Sequence, residues 1–396
     1  MRYLLSDIDM GEEEALAVAD VVRSKWLSIG PCTAEFEAQF ARMLGARHAV
    51  AVSSCTAALH LALKACGIGP GDEVLVPSYT FVATANAILY QGATPVFVDI
   101  GGADDLNLDA DDLEARITPR TAAVIVVHLA GYAAAMNRIM ALAERHGLAV
   151  IEDACHAIGA TYEADVHGAL SGRKLGAIGT AGCFSFFANK NLVTGEGGMI
   201  VTDDDQIAED ARRSRAHGMT KTSWDRASGR AADYDVVELG YNYRGTEIAA
   251  ALGLVQLARL RGANARRKTL TETYRRRLAD CPALTVPFAG RTDDAGHHIM
   301  PIVLRDADAR PAFRGLLNER GIQTSIHYPP VHLFTQYKER CPHAGPLPLT
   351  LDVAAREVTL PLHPLLSEAD VDIICDEVLR AADETGSSVS RERTGG

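Results

Sequence analysis

The sequence predicts an α/β protein whose mostly parallel central sheet lies between helices, followed by a smaller C-terminal α+β domain. From residue 48 to residue 151, short runs rich in valine and isoleucine alternate with segments of helical spacing. This alternation is typical of a parallel sheet covered on both faces. From about residue 281 the alternation stops. We therefore predict a large domain at 1–260, a small domain at 261–385 and a disordered polar tail at 386–396.

Two helices are predicted before the first strand. Residues 11–25 place Leu16, Ala19 and Val22 on one helical face, and residues 26–31 end this helix. Thr33 is the predicted N-cap of the second helix, which ends at Leu44 and has acidic residues near its start.

The alternating region comes next, with right-handed crossovers expected between its parallel strands. Its predicted strands are residues 48–52, 73–76, 95–98, 122–128 and 148–151, and its predicted helices are residues 56–66, 80–90, 113–117 and 134–146. Two further apolar runs, 183–187 and 199–201, are predicted strands on either side of a glycine-rich turn.

The rest of the chain is more mixed. Residues 164–178 and 218–233 are predicted loops, the second of them mobile. The remaining predicted helices are residues 204–213, 247–260 with its charged continuation 261–278, 310–320 and 368–382, and the remaining predicted strands are residues 297–304 and 323–327.

Composition and charge exclude several classes of protein. The net charge of -12 argues against binding a nucleic-acid backbone over a broad basic face. No stretch approaches the roughly 20 apolar residues of a membrane span, and the N-terminus does not resemble a signal peptide. The eight cysteines form no Cys-x-x-Cys pair. We therefore expect reduced thiols in a cytoplasmic protein, rather than disulfides or a metal site.

Lys190 lies between the apolar runs at 183–187 and 199–201, with an asparagine on each side. An ammonium group so close to two buried strands is costly to desolvate unless it is neutralised or used covalently. A desolvated lysine amine is nucleophilic and forms Schiff bases with carbonyl compounds. The structural alternative is a solvated lysine in a loop between two strands, which is the commoner situation for a lysine considered alone.

Two motifs follow predicted strands at one sheet edge, where open parallel sheets bind ligands. The segment 53–59 (SSCTAAL) joins a strand to a helix, and the free N–H groups of a helix start favour an anion such as phosphate. The segment 152–156 (EDACH) puts Asp153 at a strand end, where its carboxylate can hold a protonated ring nitrogen. The structural alternatives are an ordinary helix cap, a core ion pair and a histidine at a helix start.

Two further motifs supply aromatic and cationic groups. Phe81 follows another strand of that edge and can stack on a flat heterocycle, although a single phenylalanine is more often part of a core. The segment 240–244 (GYNYR) suits a phosphate or a subunit boundary, with an exposed turn as the alternative.

Together these motifs supply what pyridoxal 5'-phosphate requires. In chain order they provide an anion site for its phosphate, an aromatic ring for stacking, an aspartate for its ring nitrogen and a lysine for its aldehyde. We therefore predict a pyridoxal 5'-phosphate site, with no metal, at this edge of the sheet.

Over roughly residues 27–379, the sequence resembles the DegT/StrS-type sugar aminotransferases, which are pyridoxal-phosphate enzymes of fold type I. The resemblance rests on 184–186 (FSF) with Lys190 and 195–198 (GEGG), on 152–154 (EDA) and on 240–244 (GYNYR). Cys55 departs from the family, where many relatives have glycine, and this implies a slightly tighter phosphate loop. Some relatives carry histidine in place of the lysine and perform deoxygenation, so Lys190 favours transamination.

The resemblance also implies roles for individual residues. Lys190 would be the Schiff-base lysine and Asp153 the partner of the pyridine nitrogen. Phe81 would stack on the ring, and His156 would lie near the ring hydroxyl. The phosphate would be held by Thr56, Ala57 and Ser185. Asn242 would reach the phosphate of the neighbouring subunit, which implies a homodimer with shared active sites.

Substrate contacts are implied by the same resemblance. His327 and Tyr328 belong to a segment that resembles the one lining the nucleotide-sugar side in the family. Ser28 and Gly30 belong to an N-terminal segment of similar role. Arg244 is the candidate for the glutamate carboxylate.

Amino transfer in two steps is the activity that the resemblance implies. L-Glutamate gives its amino group to the cofactor, which becomes pyridoxamine 5'-phosphate, and a nucleotide-linked ketosugar then takes it, with Lys190 as the proton carrier. The favoured acceptor is a dTDP-4-keto-6-deoxyhexose aminated at C4, in amino-sugar biosynthesis. The alternatives are a 3-ketosugar or keto-cyclitol of antibiotic biosynthesis, a pyridoxal-phosphate-dependent sugar dehydratase, and a non-catalytic binding or regulatory protein.

Overall fold

The computed structural model describes residues 1–163, 168–291, 294–341 and 345–393, the last seven of these as backbone alone. The strands are β1 (His48–Val52), β2 (Glu73–Pro77), β3 (Thr94–Val98), β4 (Thr121–Val127), β5 (Ala149–Asp153), β6 (Ala181–Ser185), β7 (Gly198–Thr202), β8 (Leu284–Thr285), β9 (Met300–Leu304) and β10 (Glu357–Leu360). The helices are α1 (Glu12–Ser24), α2 (Pro31–Leu44), α3 (Cys55–Ala65), α4 (Val82–Tyr90), α5 (Ala110–Ala115), α6 (Met136–His146), α7 (Asp205–Ser214), α8 (Ser223–Ala227), α9 (Glu247–Leu278), α10 (Arg310–Glu319), α11 (Thr335–Arg340), α12 (Pro348–Arg356) and α13 (Glu368–Arg393).

The large sheet has the strand order β1-β7-β6-β5-β4-β2-β3. Strands β2 to β6 run parallel, whereas β7 is antiparallel to both β6 and β1. The reversal follows from chain length, because residues 186–197 link β6 to β7 without a helix and parallel neighbours need a long crossover. Apolar clusters cover both faces of the sheet, so the predicted α/β class with a mostly parallel sheet is confirmed.

A second, antiparallel sheet of order β10-β9-β8 lies in the C-terminal part. Its own apolar core is formed by Tyr3 together with selected buried side chains between Leu270 and Ala382. Helix α9 runs unbroken from the large sheet to this core, as the predicted continuation of 247–260 into 261–278 requires. The division of the chain at residue 260 therefore falls inside a helix and stays a prediction.

The start of α2 differs from the prediction. The helix begins at Pro31 with Gly30 as its N-cap, so the assignment of Thr33 as the cap is wrong. Glu247, the first residue of α9, accepts hydrogen bonds from the N–H groups of Gly30, Cys32 and Thr33 at 2.8–2.9 Å. A carboxylate from a distant helix thus does what a local cap residue normally does. Sequence spacing could not indicate this contact.

Three other predictions need correction. Residues 323–327 form no strand but a single bridge between Ser325 and Thr359. The predicted loop 218–233 contains the short helix α8. On α1, Leu16 and Val22 share a face as predicted, but that face is exposed, and Val21 is buried instead.

The polar tail is the last difference. Helix α13 continues to Arg393, past residue 386, where disorder is predicted. An ion pair between Glu384 and Arg320, the residue that follows α10, supports its later turns, and residues 383–393 contain no proline that would end a helix. The predictions for 164–167 and 394–396 lie outside the described residues. None of the helices in the described ranges combines the length and apolar character that crossing a bilayer requires.

Candidate active site

A cavity of about 380 Å³ lies at the carboxyl ends of β5 and β6. Asp153 is the last residue of β5 and Ser185 the last residue of β6, so the sheet itself positions both side chains. The predicted site residues that line this cavity are Thr56, Phe81, Asp153, His156, Ser185, Lys190, His327 and Tyr328. A larger depression of about 750 Å³ lies against α2 and α9 and contains neither Lys190 nor Asp153.

One end of the cavity is formed by the first turn of α3. The helix is capped by Ser54, whose Oγ accepts a hydrogen bond from the Ala57 N–H at 3.2 Å. The N–H predicted to hold phosphate at Ala57 is therefore committed to the cap, while Thr56 and Ser185 line the same cavity. Gly198 lies against this turn, since a Cβ there would come within 2.4 Å of the Ser54 carbonyl carbon. This end of the cavity fits an anion at a helix N-terminus.

Asp153 is a buried carboxylate that accepts hydrogen bonds from two neutral donors. Thr84 Oγ1 donates to its Oδ2 at 2.9 Å, and the Cys155 N–H donates to its Oδ1 at 3.3 Å. Within the described part of the chain, no lysine, arginine or histidine forms an ion pair with it. A buried charge without a partner is costly, so this carboxylate fits a protonated ring nitrogen bound in the cavity.

Lys190 faces the cavity from the loop after β6. Enclosure by protein lowers the pKa of its amine, although part of the side chain is accessible through the cavity. Its Nζ lies 3.4 Å from Nε2 of His298. Asn191 donates through Nδ2 to Gly296 and Asn264, so its Oδ1 accepts from His298 Nδ1 at 3.0 Å. His298 Nε2 is therefore an acceptor for the lysine amine.

His156 and Tyr328 form a neutral pair beside Lys190. Nδ1 of His156 accepts from the Ala130 N–H at 3.3 Å, so its Nε2–H donates to the Tyr328 oxygen at 3.1 Å. The phenol hydrogen is then available to a ligand. Burial lowers the pKa of His156 well below its usual range and raises the pKa of Tyr328, so both groups are uncharged at neutral pH.

His327 is held by two groups of β10. Its N–H donates to Glu357 Oε2 at 2.8 Å, and its Nδ1 lies 2.8 Å from Thr359 Oγ1, whose hydrogen goes to Glu357 Oε1. When Glu357 is ionised, Nδ1 therefore carries the hydrogen and Nε2 is left as an acceptor. Burial raises the pKa of Glu357 to about 8 and lowers that of His327 to about 4.

Phe81 forms part of the cavity wall with 58% of its surface exposed. Its ring centroid lies 6.1 Å from that of Tyr328. An aromatic ring so exposed next to a cavity fits stacking on a flat ligand. Asn189 also lines the cavity, and its buried Oδ1 has no hydrogen-bond partner among the described residues. The stacking ring, anion site, carboxylate and amine together fit pyridoxal 5'-phosphate.

Five predicted site residues do not line this cavity, and one of them is Ala57, whose N–H donates to Ser54 Oγ. Ser28 and Arg244 lie together at a separate small pocket. Gly30 is committed to Glu247, and Asn242 is exposed. Their assigned roles stay predictions, and for Asn242 the prediction requires a second chain.

Three residues that the structure brings to the reacting groups were not predicted from the sequence. Thr84 lies one helical turn after Phe81, a spacing that places both near one helix start. Cys155 is part of the motif that supplied Asp153. His298 had only a weak signal, a histidine pair at the start of a predicted strand.

Comparison with known proteins adds to this geometry. The model of the DegT/DnrJ/EryC1/StrS aminotransferase family matches residues 8–379. The chain belongs to this family. It is 43% identical to the spore coat polysaccharide biosynthesis protein SpsC of Bacillus subtilis (strain 168), over 93% of this chain and 94% of SpsC.

Solved structures agree with this assignment. DesV of S. venezuelae is 37% identical with a TM-score of 0.85, covering 93% of this chain and 94% of DesV. The sugar aminotransferase CalS13 of Micromonospora echinospora is 33% identical with a TM-score of 0.85, covering 96% of this chain and 99% of CalS13. The protein is therefore a sugar aminotransferase of fold type I that depends on pyridoxal 5'-phosphate.

Proposed function

We propose that the protein transfers the amino group of L-glutamate to C4 of a dTDP-4-keto-6-deoxyhexose, as a cytoplasmic homodimer in amino-sugar biosynthesis. One observation carries the proposal: the Lys190 amine and the buried Asp153 carboxylate line one cavity together with uncharged histidine and tyrosine side chains. These uncharged groups suit the hydroxyl and carbonyl groups of a sugar.

The chain's own residues have separate tasks in this reaction. When bound, pyridoxal 5'-phosphate supplies a ring that accepts electrons. Asp153 keeps its ring nitrogen protonated, and Thr84 orients that carboxylate. Lys190 carries a proton at Nζ, and the lowered pKa of this amine favours its neutral, basic form. His298 Nε2 accepts a hydrogen bond from that amine and holds it in place.

The sugar side of the cavity is formed by His327 and Tyr328. His327 offers its ring nitrogen Nε2, and Tyr328 offers a phenol hydrogen, so both can bind hydroxyl groups. Among the described residues no arginine lines the cavity. An arginine for the glutamate carboxylate would therefore come from outside this cavity, and Arg244 is the candidate.

A homodimer is supported by the surface next to segment 240–244. Leu239 is 82% exposed, and Val236 and Val237 are also more than half exposed. A second copy of the chain would cover these side chains and bring Asn242 towards a neighbouring cavity. The free state of all eight cysteines supports a reducing compartment.

A panel of acceptors tests the proposal. The loaded protein is incubated with L-glutamate and, in separate reactions, a dTDP-4-keto-6-deoxyhexose, a dTDP-3-keto-6-deoxyhexose, the UDP-linked 4-ketosugar and a keto-cyclitol. Mass spectrometry should detect the amino sugar chiefly with the first acceptor, and NMR should place nitrogen at C4. Preferred amination of another acceptor would overturn the substrate assignment. Release of 2-oxoglutarate without any acceptor tests the glutamate step separately.

A further inference from the structure

Two cysteine thiols meet in the floor of the cavity. Cys55 is the first residue of α3, and Cys155 follows the end of β5 by two residues. Their sulfur atoms lie 3.0 Å apart, with the Cys155 S–H directed at Cys55. Both side chains line the cavity, Cys55 is buried and Cys155 is partly exposed. Neither thiol has a role in the transamination described above.

We propose that Cys55 and Cys155 are a redox-sensitive pair that forms a disulfide while the cavity is empty and is protected once the cofactor is bound. This inference rests on the cofactor site assigned to the same cavity. The pair is a modification site. Its oxidation would link the redox state of the two thiols to the binding of pyridoxal 5'-phosphate by the enzyme.

The geometry favours a bond between these two sulfur atoms. A disulfide has an S–S distance of about 2.05 Å, so the sulfurs must approach by about 1 Å. Side-chain rotation and a small shift of the loop after Asp153 can supply this movement. The two residues are 100 positions apart in sequence, but the sheet fixes their neighbourhood because α3 packs against β5.

A peroxide is the oxidant class that completes the chemistry. The Cys155 sulfur attacks one peroxide oxygen, and the O–O bond breaks. Cys155 becomes a sulfenic acid, and the other oxygen departs as water. The Cys55 sulfur then attacks the Cys155 sulfur, and the hydroxyl group leaves as a second water. Two thiols are oxidised by two electrons and hydrogen peroxide is reduced to two waters, so the step balances. A dithiol reverses it by exchange.

The disulfide would change cofactor binding because of what it joins. Cys55 belongs to the turn that forms the anion site, and the Cys155 N–H donates to Asp153. The bond would pull the expected phosphate site towards the partner of the ring nitrogen. Burial raises the pKa of Cys55 to about 12, so few thiolates exist at neutral pH and the reaction should be slow.

Peptide mapping tests the proposal directly. Trypsin releases residues 48–64 and 146–173, each with a single cysteine. The full-length protein, without cofactor or loaded with pyridoxal 5'-phosphate, is treated with hydrogen peroxide, alkylated and digested without reductant. We expect the linked pair of peptides from the cofactor-free protein, and at least ~10-fold slower linkage in the loaded protein. Oxidised protein should load the cofactor at least ~10-fold more weakly, and dithiothreitol should restore loading.

Matched variants separate this pair from general thiol oxidation. Cys155→Ser should abolish the linked peptides, whereas Cys66→Ser, at the other end of the same helix α3, should retain them. The proposal is overturned if cofactor-free wild-type protein gives no linked peptides, if the cofactor gives no protection, or if loading is unchanged after oxidation. Failure of the reduced protein to take up pyridoxal 5'-phosphate at all would instead contradict the proposed function.

Discussion

Asp153 and Lys190 are ionisable residues that lack an ion-pair partner within the described part of the chain, yet both line one cavity. Ionisable groups without an ion-pair partner are costly to bury in their charged form, and they occur where a ligand binds. Glu152, the neighbour of Asp153, shows the contrast, because His128 and three backbone amides satisfy its carboxylate. The core ion pair, which is the structural alternative for a carboxylate of segment 152–156, therefore describes Glu152.

Substitution of Asp153 tests its assigned role. Asp153→Asn keeps the size of the side chain but removes the charge that holds the ring nitrogen protonated. We expect the rate of the glutamate step to fall at least ~100-fold while cofactor is still taken up. Thr84→Val, which removes the hydrogen bond to Oδ2, should lower the rate by about tenfold. Single-turnover release of 2-oxoglutarate measures both, and a wild-type rate for Asp153→Asn would refute the role.

Individual site residues could be predicted from the sequence where a motif directly follows a strand. Lys190, Asp153 and Ser185 could be placed at one sheet edge because parallel strands end there together. His298 could not be placed, since it reaches the cavity from the C-terminal part of the chain and no spacing rule links it to Lys190. Cys55 and Cys155 lie in predicted motifs, but their contact depends on the packing of α3 on β5.

At the level of elements, α2 depends on a residue of α9 for its N-terminus. Glu247→Ala would leave three N–H groups and the Thr33 hydroxyl without their acceptor. We expect a loss of about 3 kcal/mol in the free energy of unfolding, measured by denaturant titration. The control is Glu35→Ala. Glu35 is an exposed residue of α2, and its substitution should change the free energy of unfolding by less than about 0.5 kcal/mol. Equal effects of the two variants would contradict the capping role.

Glu152 links β5 to the loop before β6 and should make stability depend on pH. Burial alone would raise its pKa, but hydrogen bonds from His128 and backbone amides outweigh burial and hold the pKa below its ordinary value of 4.5. This stabilisation is complete above pH 4.5 and is lost as the pH falls through the lowered pKa of the folded state. Glu152→Gln should reduce the slope of stability against pH in that acidic range by up to ~1.4 kcal/mol per pH unit. Identical slopes in urea titrations from pH 3 to 5 would count against the assignment.

The strands and helices of the large sheet could be predicted from the sequence. The elements of the C-terminal part could be predicted only in part. The valine and isoleucine runs of β1 and β4 predicted their strands because both faces of the sheet are covered. Strand β10 and helices α11 and α12 were missed, since their segment is interrupted by prolines and begins its strand with the buried acid Glu357. Tertiary contacts decide such elements.

At the scale of the whole molecule, the predicted site residues that lie outside the cavity bear on how two copies of the chain would assemble. Asn242 and Arg244 belong to a motif of the family resemblance, yet neither lines the cavity of its own chain. Exposed apolar side chains lie immediately before them. A site shared between two copies would explain both observations. The residue types of segment 240–244 suit a subunit boundary, and the family resemblance implies the shared site itself.

Mixed dimers test the shared site. Lys190→Ala and Asn242→Ala chains are each expected to have low activity as pure dimers. If Asn242 serves the neighbouring cavity, one site of each mixed dimer contains an intact Lys190 and an intact Asn242. After unfolding and joint refolding, random mixing should restore about a quarter of the wild-type transamination rate. No restoration would show that Asn242 acts in its own chain or has no role.

The most direct test of the account is chemical trapping at Lys190. The protein loaded with pyridoxal 5'-phosphate is reduced with borohydride, digested, and its modified peptide is sequenced by mass spectrometry. If Lys190 is the Schiff-base lysine, we expect one phosphopyridoxyl group per chain, on the Lys190 side chain, and no labelled peptide from Lys190→Ala. Labelling of a different lysine, or loaded protein that borohydride leaves unlabelled, would contradict this assignment.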